Sequence, residues 1–100
     1  MSAVNNHDKL LINRLLLTNS GLKVNKLAVQ ELGIESAVVL AILLEVKEIS
    51  TDEEGWFSCS HKVIKEVVGI SRYKQDKAIE ILEETGLIIS DKRKFKFVIN

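Results

Sequence analysis

Lys62, Arg72, Lys74 and Lys77, together with Tyr73 and Gln75, form the grouping in this chain whose types and spacing best suit a chemical task. A second group, Lys92, Arg93, Lys94 and Lys96, follows near the C-terminus. Both suit the binding of nucleic acid. Lys and Arg neutralise phosphates, an Arg fork can pair bidentately with guanine, and Gln can meet a base edge or the backbone. Tyr73 can stack on an unpaired base or bond a phosphate. The plain alternative is that these charges only keep two faces solvated.

Other chemistry finds little support. Gly21, Gly33, Gly55, Gly69 and Gly86 are scattered, with no phosphate-cradling cluster. His7 and His61 are far apart, and Cys59-x-His61 lacks the further ligands a zinc site needs. Asp52, Glu53 and Glu54 match no calcium loop and read as a solvated acidic turn. Cys59 reads as a small packed side chain, and His61 as a surface residue that could also touch phosphate. No enzyme activity, metal or cofactor is expected.

The elements that must position these residues can be read from caps and periodicity. Ser60 is a good N-cap, and Val63, Ile64, Val67 and Val68 form one helical stripe ending at Gly69. Ile70 fills a turn. Ser71 caps a second helix with Ala78, Ile79 and Leu82 as its apolar face and Gly86 as its stop. Arg72, Tyr73, Lys74 and Lys77 crowd the N-terminal half of its other faces. Next come the apolar run Leu87–Ile89, a polar turn at Asp91–Lys94, and the alternation of Phe95, Phe97 and Ile99 with polar or smaller residues. Helix, glycine turn, capped helix and hairpin predict a winged helix-turn-helix, with residues 60–86 as the motif and 87–100 as the wing. The fold class expected is α+β, mainly α, with a small antiparallel sheet.

Upstream, residues 1–8 read as a polar, disordered start. Lys9–Leu17 is ambiguous. Leu11, Ile12, Leu15 and Leu16 suit a helical stripe, but an extended segment would carry leucines on both faces. Thr18–Gly21 signals a turn, and Leu22–Val24 a short strand. Asn25 can cap a helix over Lys26–Leu32, with Leu27, Ala28 and Leu32 inward and Gly33 as the stop. Ser36 can cap a third helix, Ala37 to about Ile49, whose wide apolar stripe makes it the core helix. Trp56–Cys59 reads as a strand that pairs with the wing.

One hundred residues, 46% of them hydrophobic, suffice for a single domain with a real core and no metal or disulfide staple. The longest apolar run, Ala37–Leu44, is far short of the ~20 residues of a membrane span, and no secretory signal is evident. A lone Cys and these absences point to the cytoplasm, with no membrane partner. Fourteen basic and fourteen acidic residues cancel, which argues against coating nucleic acid by bulk charge. A basic edge on a neutral chain fits moderate, salt-sensitive binding instead. The surplus leucines of Leu10–Leu17 and the acidic stretch Glu45–Glu54 would be left for a protein partner.

The order of phrases across Lys9–Ile89 resembles the N-terminal winged-helix domain of replication proteins from phages, plasmids and other mobile elements. That group includes replisome organisers and DnaD-type initiators. The resemblance rests on Lys9-Leu10-Leu11-Ile12-Asn13, the extended piece Leu22–Val24, the Leu27-Ala28 helix ending at Gly33, Gly33-Ile34-Glu35-Ser36-Ala37, Gly55-Trp56-Phe57, Gly69-Ile70-Ser71 and Leu82–Ile88. Two departures stand out. Val46-Lys47-Glu48 replaces the aromatic pair usual at the end of the core helix, and the chain stops after the wing, where initiators continue into a helicase-recruiting domain. Either the chain is a fragment or, as the preferred reading, it is a stand-alone small protein. The resemblance implies a role in replication beside a primase, polymerase or helicase of the same element, with DNA, duplex or single-stranded, as ligand and a homodimer as one option. A protein-docking module without DNA binding, or a small transcriptional regulator, would share the same fold.

Overall fold

The computed structural model describes residues 6–17, 22–49, 51–52, 54–91 and 96–99. They form five helices and a small antiparallel sheet, an α+β arrangement that is mainly helical. The helices are α1 (Asn6–Leu17), α2 (Lys26–Leu32), α3 (Ile34–Ile49), α4 (His61–Val68) and α5 (Arg72–Glu84). The strands are β1 (Phe57–Ser58), β2 (Ile88–Asp91) and β3 (Lys96–Ile99). β3 lies in the middle, with β1 on one side and β2 on the other, both antiparallel to it. The stretch around Phe57 therefore joins the C-terminal hairpin, as its pattern predicts, and Phe57 faces Phe97 across the ladder.

The core is built around α3. Val39, Ile42, Leu43 and Val46 recur at helical spacing and are wholly enclosed. Leu11 and Leu15 of α1, Val63 and Ile64 of α4, Ala78, Ile79 and Leu82 of α5, and Phe57, Ile88 and Phe97 of the sheet close around them. No helix among the described residues is long and apolar enough to cross a membrane.

Several expectations for the first half need correction. Lys9–Leu17 is helical, and the helix begins at Asn6, so residues 6–8 are ordered in α1 rather than frayed. The anchor is Asp8, a buried carboxylate whose Oδ2 accepts a hydrogen bond from Ser60 Oγ at 2.9 Å. Two turns of α1 bury Leu11 and Leu15, but Leu16 lies beyond the edge of that stripe and is exposed. Leu22–Val24 takes no regular structure and is not part of the sheet formed by the described strands. On α2, Leu27 points outward at 62% exposure, while Ala28, Val29 and Leu32 are half-buried. A two-turn helix resting on one neighbour can turn only such a narrow stripe inward. α3 starts directly after Gly33, with the Ala37 amide donating to the Gly33 carbonyl, so Ser36 is a buried first-turn residue and not the cap. The turn expected at Thr18–Gly21 lies outside the described residues, as does Glu53 of the acidic loop. Asp52 in that loop is occupied by backbone, its carboxylate accepting from the amides of Glu54 and Trp56 at 2.9 Å each.

The second half follows its signals closely. Ser60 and Ser71 cap α4 and α5, accepting from the amides of Val63 and Lys74. Gly69 ends α4 at φ +75°, a left-handed conformation that disfavours any residue with a Cβ. α5 closes with the Leu87 amide on the Leu82 carbonyl and the Gly86 amide on the Glu83 carbonyl, the paired bonds of a Schellman ending.

Cys59 sits beside this assembly, buried next to Ser60. Its thiol is pushed up to about 12 from 9.0, first by burial and second by the charge of Asp8. Above pH 9 the unfolded chain therefore loses a proton that the folded chain keeps, so stability should fall as pH climbs from 9 toward 12. At pH 8 the native protein should resist alkylation by iodoacetamide and react in denaturant. Rapid native alkylation would contradict this burial.

Candidate nucleic-acid interface

A helix advances roughly 100° per residue, so α5 sorts its side chains by position. Gln75, Ala78, Ile79 and Leu82 fall on one side and are buried. Arg72, Tyr73, Lys74 and Lys77 fall on the others and are exposed. The helix thus presents its cations to solvent at the end where its peptide dipole is also positive. Glu80, Glu83 and Glu84 occupy the opposite end, so a polyanion meets attraction at one end of α5 and repulsion at the other.

The N-termini of α4 and α5 converge on a cleft of about 490 Å³. Lys62 and Lys65 come from α4 and Arg72 from α5, with the capping Ser60 and Ser71 between them. Asp8 forms part of the lining and is its one carboxylate. His61 ties the two helices together, its Nε2 lying 2.8 Å from Asp76 Oδ1. On the other side of α5, Lys74 Nζ stands 4.0 Å from Glu35 of α3, an exposed and weak pairing. Lys77 Nζ lies 5.4 Å from the centre of the Tyr73 ring, within cation–π range.

Of the residues expected to meet nucleic acid, Lys62, Arg72, Tyr73, Lys74 and Lys77 are brought to one end of the helix pair and exposed. Gln75 is a correction. It is fully buried, and its Nε2 donates to the carbonyls of His61 at 3.0 Å and Ile70 at 2.7 Å. Both amide hydrogens are thereby spent inside the protein, and no base can reach them. Lys92, Arg93 and Lys94 lie outside the described residues. Lys96 opens β3, paired with Ser58 and Asp91, and its side chain is likewise outside. Lys65, three residues after Lys62 and part of the same basic edge in the sequence, also lines the cleft.

No family model, curated protein or solved structure matches the chain.

The role of Gln75 is directly measurable. Gln75→Leu keeps the volume but removes both bonds, and should cost about 2–3 kcal/mol of unfolding free energy. Equilibrium urea denaturation checks it. An unchanged midpoint would mean that the buried bridge contributes nothing.

Proposed function

We propose that this chain is a DNA-binding winged-helix module that acts in the replication of a phage or other mobile element as a small accessory subunit of a larger replication enzyme. The observation that carries the DNA reading is the exposed, basic N-terminal end of α5 beside the cleft that Lys62 and Lys65 share with Arg72. The order helix, strand, helix, helix, hairpin from α3 to β3, with β3 central, supports the winged-helix reading. In that reading α5 is the recognition helix, and the 92–96 cations belong to the wing. The acidic far end of α5 favours docking by the tip rather than lengthwise. The replication role rests on the sequence phrases that resemble initiator domains.

A neutral chain of this size offers few phosphate contacts, so affinity is expected to depend on a partner that raises effective concentration. Leu10 and Leu16 support such docking, since both stand more than half exposed on α1, at 57% and 55%.

Arg72→Ala with Lys74→Ala should weaken DNA binding by ~2 kcal/mol or more while leaving the fold intact. Alanine at Lys92, Arg93 and Lys94 should flatten the slope of log affinity against log salt by about 0.7–0.9 per lost phosphate contact. Fluorescence anisotropy over a salt series measures both. Wild-type affinity in the double variant would overturn the placement of the site, and a wild-type slope in the triple variant would remove the wing from it.

A further inference from the structure

The side of α5 away from the basic cleft carries a second feature that simple phosphate binding does not use. A groove of about 310 Å³ runs between α5 and the corner where α2 meets α3. Leu32, Ile34, Tyr73, Ala78 and Ile81 supply its apolar surface. Three of these are open to solvent, Ile34 at 58%, Tyr73 at 68% and Ile81 at 36%. Lys74 and Lys77 stand on its lining, and Glu35 is the one acidic residue there. An occupant should therefore be apolar and flat in its body and negative along its edge. A duplex supplies the negative edge but keeps its base faces covered by stacking. A single strand supplies both, because each nucleotide pairs an uncovered base with a phosphate.

We propose that this groove takes an unpaired base of single-stranded DNA, stacked on Tyr73 and flanked by Ile34 and Ile81, with the adjoining phosphates on Lys74 and Lys77. The proposal rests on the DNA reading above and sharpens it to strand type. The Tyr73 ring has the Lys77 ammonium beside it and remains largely exposed, so it can still offer a face to a base. The groove adjoins the basic end of α5, so a strand held there can continue toward Arg72.

The test uses the full chain and one labelled oligonucleotide, presented single-stranded and as its duplex. Tyr73→Ala should weaken single-strand binding roughly tenfold or more and duplex binding by less, and Tyr73→Phe should restore it. Ile34→Ala, which adds no charge beside Lys74 and Lys77, should weaken single-strand binding by more than duplex binding. Circular dichroism melts confirm that the variants fold. Equal losses on both forms, or no loss on the single strand, would overturn the groove while leaving the DNA reading in place, provided that the Arg72 and Lys74 double variant still binds more weakly. Wild-type protein that binds neither form would overturn both. Binding of an acidic apolar peptide that the same variants abolish, with no preference for single-stranded DNA, would assign the groove to a protein instead.

Discussion

The side-chain amide of Gln75 ties the first residue of α4 to the turn before α5, and the presentation of the basic end depends on it. One nitrogen holds two carbonyls, those of His61 and Ile70, in a place sealed from water. Two donors matched to two acceptors leave no alternative orientation for the amide. The bridge holds α5 against α4 near their N-termini, with the capping Ser60 and Ser71 both on the cleft between them. Asp8 extends the same logic to α1, its Oδ2 accepting the bond from Ser60, the residue that caps α4. The cleft with its cations thus arises where three helices are pinned by polar side chains, while the apolar core below supplies the bulk of the stabilisation.

Charge placement then does what net charge cannot. Equal numbers of acids and bases would give a chain indifferent to polyanions if they were mixed evenly. Here α5 separates them along its own axis, bases at the positive end of its dipole and glutamates at the negative end. The acidic end loses some helix stability by this arrangement, since like charge meets like dipole. The separation yields a short region of favourable potential whose reach is limited to about a Debye length, ~8–10 Å in ordinary salt. Such a region attracts a polyanion only weakly and only at short range.

The second half of the fold was legible because its signals are local. Ser60 and Ser71 act through hydroxyls that reach amides three residues on, Gly69 and Gly86 through their own backbone, and the apolar spacings between them agree with one helix length each. The first half was less so. Whether Leu27 turns in or out depends on how α2 leans on α3, which no local pattern encodes. The true start of α1 depends on Asp8 finding Ser60, a contact that spans 52 positions. Gln75 was misjudged for a different reason. It lies three, four and seven positions before Ala78, Ile79 and Leu82, on their side of the helix. Residue type argued for a contact with DNA, but periodicity argued for burial, and periodicity prevailed because the apolar face must close against α3 and α4.

The measurement that bears most directly on the central claim is an NMR titration of the 15N-labelled chain with a short DNA strand. Amide shifts are expected to concentrate at residues 60–65 and 71–77, with little change over α1 or at Glu80–Glu84. A response centred on α1, or none at all at DNA concentrations that saturate an anisotropy signal, would contradict the assignment of the basic end of α5 as the DNA-binding surface.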